Sequence, residues 1–127
     1  MVKLVFTLHR REGMTREDFH RYWRDKHAPL VQRHAAILHI RCYVQVPLVE
    51  TYLNEAVAGQ RGSQPQFYDG VAELWWDSLE DLAAVYSSEA AQAAAQELLE
   101  DEQRFIDLPR SPLWLGEENV VVGQLQH

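Results

Sequence analysis

A chain of 127 residues is long enough for one domain with one modest core, and 46% hydrophobic against 24% charged residues is an ordinary globular balance, neither disordered nor membrane-embedded. A net charge of −7 with no basic stripe argues against nucleic acid as a partner, and no apolar run approaches the ~18 residues that span a bilayer. The single cysteine, Cys42, rules out an internal disulfide and a zinc site built on a cysteine pair, and "MVKLVF" is too short for a signal peptide, so a cytoplasmic location is expected.

In chain order, "VKLVFTLHR" (2–10) reads as a strand with Leu4, Phe6 and Leu8 on one face and Lys3, Val5, Thr7 and His9 on the other. Thr15 with Asp18 three residues on is a capping-box-like start for a first helix, in which Phe19, Trp23, Lys26 and Leu30 recur at helical spacing. Pro29 has no amide hydrogen to donate and disfavours helical geometry at Ala28, so this helix is expected to break or kink near His27. "ILHIRCYVQV" (37–46) reads as a second strand ended by Pro47, with Ile37, His39, Arg41, Tyr43 and Gln45 on the face opposite Leu38, Ile40, Cys42, Val44 and Val46. Residues 54–66 read as a loop with room for a short helical turn. "YDGVAELWW" (68–76) is a third strand, and Ser78 with Asp81 caps a second helix, interrupted near Ser87 and Ser88 and continuing through "EAAQAAAQELLEDEQRF". "NVVVGQLQ" (119–126) reads as the last strand, and the acidic residues of 97–107 and 117–118 as solvated faces.

The order β-α-β-β-α-β is the ferredoxin-like α+β arrangement, one mostly antiparallel sheet with both helices on one face, in a single domain over 1–127. The face away from the helices would carry Val5, Tyr43, Val71, Trp75 and Val121, mixed with His39, Arg41 and Glu73. That is too apolar for water and suits a sheet stacked on a second copy of itself, with Arg41 and Glu73 as buried ion partners, so a homodimer is expected.

Three separated segments, "FHRYWRDKHAPLV", "YDGVAELWWDSLEDL" and "DEQRFIDLPRSPLW", resemble the EthD family of the dimeric α+β barrel superfamily, over about Lys3 to Val122. The resemblance implies a ferredoxin-like subunit, a dimer whose two sheets form a barrel, and a ligand pocket between each sheet and its helices. EthD-like proteins are associated with ether degradation alongside an oxygenase and with fungal aromatic polyketide pathways. Superfamily relatives include cofactor-independent monooxygenases, muconolactone-type isomerases and polyketide cyclases, so the fold does not choose a reaction. The shared thread is a small, mostly apolar, often aromatic substrate handled without a bound cofactor.

At about 100° per residue, His27 falls roughly 70–80° from the centre of the apolar stripe, at its border. At the C-terminal end of a helix the dipole would favour its protonated form, and an unperturbed pKa of about 6.5 suits a general acid or base at a pocket rim. The resemblance supports that role, because His27 matches the histidine of the family's "HxPL" element; the alternative is a histidine that satisfies free carbonyls at the helix break. Tyr22 could offer its hydroxyl to a substrate oxygen, while Trp23, Phe6, Phe19 and Trp76 serve either as pocket wall or as plain core. His39, Arg41, Asp69 and Glu73 are candidate polar partners, at the dimer seam or beside the pocket. No HExxH pair, no GxGxxG and no Walker-type loop occurs, so neither metal nor nucleotide cofactor is implied. Some superfamily members bind haem through a histidine, which leaves that alternative open.

The expected function is a cofactor-independent enzyme acting by proton transfer (dehydration, isomerisation or ring closure) on a small hydrophobic or aromatic oxygenated molecule. A non-catalytic ligand-binding or accessory protein of a degradation pathway, and a cofactor-free monooxygenase, are the alternatives.

Overall fold

The computed structural model describes residues 1–64 and 67–124. Strand β1 (Val2–Leu8) runs to a turn at Gly13, and helix α1 (Arg16–Tyr22) starts where Thr15 Oγ1 accepts the Asp18 amide at 3.1 Å. The helix does not stop at the proline. A wide π-helical turn (Trp23–His27), closed by the Ala28 amide on the Trp23 carbonyl, leads directly into α2 (Ala28–His34). Pro29 donates nothing and its ring would press on the carbonyl one turn back, and a turn holding one extra residue relieves both problems without ending the helix.

Strand β2 (Cys42–Pro47) starts later than the alternation of 37–46 indicates. The reason is a helix C-terminal cap: His39 adopts a left-handed φ of 60°, and Ile40 N–H returns to the Ala35 carbonyl at 2.9 Å. Leu38 is thereby buried among helix residues instead of joining the sheet. The segment read as a loop contains helix α3 (Leu53–Gln60), with no buried residue; Pro65 and Gln66, at the end of that reading, lie outside the described residues. Strand β3 (Gly70–Trp76) is followed by α4 (Leu79–Ala84) and α5 (Glu89–Glu102), capped by Ser78 and Ser88 through the amides of Asp81 and Ala91 and separated by a 3₁₀ turn at Val85–Ser87.

The last strand, β4, is Leu113–Glu117, not 119–126. The valine run that suggested the later span stays outside any strand, and residues 125 and 126 lie outside the described part. Thr7 fixes the earlier register, directing both its amide and its hydroxyl to the Pro112 carbonyl at 3.1 and 2.6 Å.

The sheet is wholly antiparallel in the order β2-β3-β1-β4, with helices on one face, the ferredoxin-like arrangement. Phe6, Leu8 and Ala72 on that face pack against Phe19, Trp23, Phe105 and Ile106, and a second cluster of Val31, Leu38, Val85, Ala91, Ala94 and Leu98 joins α2 to α5. Burying each of the larger rings contributes roughly 2–3 kcal/mol.

Register reverses the expected faces of β2. Tyr43 and Gln45 lie beside Leu74 and Ala72 on the helix side, where Trp23 Nε1 donates to the Tyr43 hydroxyl at 3.1 Å and Gln45 Nε2 donates to the Trp23 carbonyl at 3.0 Å. Cys42, Val44 and Val46 face outward instead. The expected ion pair of Arg41 with Glu73 does not form: Arg41 precedes the strand, is exposed and lies 3.6 Å from Asp77, while Glu73 pairs with Lys3. Val121 is exposed and belongs to no strand.

Gly70 opens β3 directly under Trp23. A Cβ there would sit 2.7 and 2.9 Å from two carbons of the indole ring and 3.0 Å from the Val46 carbonyl. We expect Gly70→Ala to destabilise the fold by about 1–3 kcal/mol, read as a lower urea midpoint; an unchanged midpoint would show that Trp23 can move aside.

Candidate functional site

Around the π turn, three side chains, from α1, the π turn itself and the segment after α5, converge on one carboxylate of α5. Asp101 Oδ1 accepts the Tyr22 hydroxyl at 2.6 Å and Arg104 Nη1 at 3.0 Å, and its Oδ2 lies 2.7 Å from His27 Nδ1. The π turn makes this possible. It advances each residue by less than the ~100° of an α-helix, which rotates His27 back onto the buried stripe and leaves Lys26 exposed.

His27 is therefore neither at a helix end nor at the border of the stripe. It is 5% exposed, with its ring 5.0 Å from that of Phe105. The expected dipole effect is absent, and burial, outweighing the pull of Asp101, lowers its pKa from the ordinary value and favours the neutral ring. Burial alone would raise Asp101, but hydrogen bonds from Tyr22, His27 and Arg104 hold it below the usual carboxylate range. An ionised carboxylate only accepts, so the proton of neutral His27 is assigned to Nδ1. Nε2 then carries the lone pair. No described residue bonds Nε2, and no polar side-chain atom among the described residues is both sealed from solvent and unpaired, so Nε2 keeps a solvent contact.

Tyr22 is held protonated by burial and by Asp101, and its hydroxyl proton is committed to that carboxylate. Phe6, Phe19 and Trp23 are buried in one cluster with Phe105, which touches His27. Trp76 is buried apart from them, donating Nε1 to the Leu38 carbonyl at 2.8 Å. His39 and Arg41 are exposed and Glu73 lies on the outer sheet face, so these three are not brought to His27; Asp69 is held by Arg10 and Arg16 at the far end of β3.

Two acidic residues read as solvated are not. Asp101 is the hub of the network, and the carboxylate of half-buried Glu102 makes no hydrogen bond or ion pair to any described residue. Burial and then the neighbouring Asp101 charge raise Glu102 to about 7. A signal for both was present in the sequence: on α5 they follow Ala94 and Leu98 at helical spacing, on the stripe that buries Ala91.

The sheet is not sealed on its helix side. Register aligns Tyr43, Leu74, Leu4 and Leu115 in one row. Leu4 and Leu74 are half-buried, whereas Leu113 and Leu115, on the same side, are 51% and 45% exposed. A separate cleft of about 460 Å³ between α2 and β2 is lined by Ala28, Val31, Ile40, Cys42 and Tyr43 among others. Cys42 is pushed up by burial and by the charges of Glu118 and Glu73, so it is a protonated thiol. Among the described residues, no three His, Cys, Asp or Glu side chains gather as a metal site, and no helix is long and apolar enough to cross a membrane.

A family model for the EthD domain matches residues 11–109. An EthD family protein of Bacillus halodurans C-125 is similar in structure at 20% identity and a TM-score of 0.62, over 94% of this chain and 99% of that one. An EthD-like protein of Ralstonia eutropha JMP134 matches at 21% identity and 0.57, over 97% and 94%. A Bacteroides fragilis protein, described as dimeric, of unknown function and ferredoxin-like in fold, matches at 12% identity and 0.57, over 92% and 95%. No curated protein sequence matches the chain significantly.

Glu102 has a consequence for stability. Between its ordinary value of 4.5 and about 7 the folded chain binds a proton that the unfolded chain does not, so stability falls as pH rises through that window. The full loss above the window is roughly 3 kcal/mol. Glu102→Gln should therefore gain about 2 kcal/mol on the wild type between pH 5 and pH 8 in urea unfolding. A difference that stays constant with pH would contradict the raised value.

Proposed function

This chain belongs to the EthD family, and on that premise we propose that it is a cofactor-independent enzyme moving protons on a small hydrophobic or aromatic oxygenated molecule. The observation that carries the reading is the state of His27: Nδ1–H is held by an ionised carboxylate, and an unprotonated Nε2 keeps a solvent contact within an apolar surround. Nε2 takes a proton from carbon or oxygen, Asp101 stabilises the imidazolium that forms, and the same proton is returned at another position. The net change is an isomerisation, or a dehydration or ring closure when a hydroxyl leaves. Tyr22 and Arg104 are positioning residues, because they keep Asp101 ionised and aimed at Nδ1. Glu102, protonated up to about pH 7, supplies an acid on the neighbouring face of α5. The unsealed row of Tyr43, Leu74, Leu4 and Leu115 offers the apolar surface for the substrate body.

The test is titration of His27 by NMR with a panel of small phenols, quinones and lactones, followed by turnover of whichever binds. His27→Ala should lose about 10²–10⁴-fold in kcat while binding changes little. Turnover that survives the substitution would remove His27 from the chemistry. One observation favours a second reading, a carrier that binds without transforming: the residues named for the α2–β2 cleft include no general base. On that reading, His27→Ala leaves ligand affinity intact and no member of the panel turns over.

We further infer a homodimer formed through the outer sheet face, where Val44, Val46 and Trp114 are 36%, 46% and 54% exposed. The double substitution Val44→Lys with Val46→Lys should halve the mass measured by sedimentation; an unaltered mass would place the contact elsewhere.

A further inference from the structure

The chain is acidic overall, with a net charge of −7, yet four of its 12 lysines and arginines line one cleft of about 450 Å³ at the end of β1: Arg10, Arg11, Arg16 and Arg110. None of His27, Asp101, Tyr22 or Glu102 lines it, so the cleft is separate from the proposed proton-transfer site.

Asp69, 1% exposed, organises the cleft. Its Oδ1 accepts Arg10 Nη1 at 2.7 Å and Arg16 Nε at 2.9 Å, and its Oδ2 accepts the Arg10 amide at 2.8 Å. Arg10 Nε also donates to the Met14 carbonyl at 2.9 Å, and Arg16 Nη1 to Glu50 at 2.9 Å. Two guanidinium groups are thus fixed side by side on one buried oxygen, and the Nη2 group of each has no partner among the described residues. A guanidinium carries five N–H donors, so both retain free donors in a fixed orientation. Burial would raise Asp69, but Arg16 and Arg10 outweigh it and keep it ionised, so the clamp persists at neutral pH.

Arg11 forms no ion pair or hydrogen bond through its side chain among the described residues, and Arg110 lies 3.7 Å from Asp107. Against these cations stand Asp69, already shared by two of them, and Glu12 on the lining. Counted with Glu50 and Asp107, the ion partners of Arg16 and Arg110, these carboxylates equal the four arginines in number, so the cleft holds no large positive excess and its free donors match a monoanion better than a dianion. Met14 and Phe67 complete the lining with apolar surface. We propose that this cleft binds a small monocarboxylate with an apolar or aromatic body, its carboxylate on the free donors of Arg10, Arg11 and Arg16 and its body against Phe67 and Met14.

The experiment is an NMR titration of the full chain with benzoate and, separately, with inorganic phosphate, following the amides of Arg11, Met14 and Phe67. Benzoate should saturate in about the millimolar range; the exposed substitution Arg11→Gln should weaken it by about tenfold, and Arg110→Gln, which removes only a lining charge, by about twofold, both with an unchanged melting temperature. Glu12→Gln should tighten it severalfold, a readout that keeps the test open if an arginine variant folds poorly. Shifts that never saturate, or an affinity indifferent to all three substitutions, would overturn the site. Tighter binding of phosphate than of benzoate would overturn the ligand class.

Discussion

The helical layer is organised around a hydrogen that is not there. Pro29 leaves a carbonyl without its donor in the middle of a run that otherwise has every reason to remain helical, and the chain accommodates it by widening one turn. The widened turn sends Lys26 to solvent and His27 inward. Once His27 is inside, its ring needs a polar partner, and Asp101 from α5 supplies one at 2.7 Å. The contact between α1 and α5 is therefore polar at its centre and aromatic at its edge, with Phe105 packed against both Tyr22 and His27.

Three acidic side chains are withdrawn from solvent in different ways, and the differences set their chemistry. Asp69 is neutralised by two arginines and has no proton to give. Asp101 is satisfied by a phenol, an imidazole and a guanidinium, and stays ionised while fixing the tautomer of its neighbour. Glu102 has no partner and responds by holding its proton up to about pH 7. The latter two are consecutive in the chain and face different neighbours only because α5 rotates by ~100° between them.

The architecture was legible because local signals agreed with it: the Thr15 and Ser78 caps fall where the side-chain oxygens meet their amides, the helix breaks at Ser87 and Ser88, and the apolar alternation of β1 and β3 survives in the sheet. The errors came where pattern and tertiary context disagree. "ILHIR" alternates like a strand, but His39 turns left-handed to end a helix; "NVVVG" has strand composition, yet Thr7 recruits the carbonyl of Pro112 and sets β4 earlier. At the candidate site, His27 was visible as a position and its surroundings were not. A helical wheel assumes a constant angle per residue, and a single wide turn breaks that assumption just where His27 lies. The acidic residues of α5 looked solvated because charge dominates composition, although their spacing from Leu98 placed two of them on the buried stripe.

The bare backbone at Gly70 also ties distant parts of the molecule together. Asp69, the anchor of the arginine cleft, is bonded directly to a residue whose Cα lies against the Trp23 indole, and Trp23 begins the wide turn that ends at His27. Close-packed interiors compress little, and no side chain at position 70 is available to yield by changing rotamer. The indole fills the space between the start of β3 and the first residue of the most irregular helical turn, so both are packed against one ring. The anchor of the arginine cleft and the turn that carries His27 are thus joined by consecutive packing contacts through one glycine and one indole.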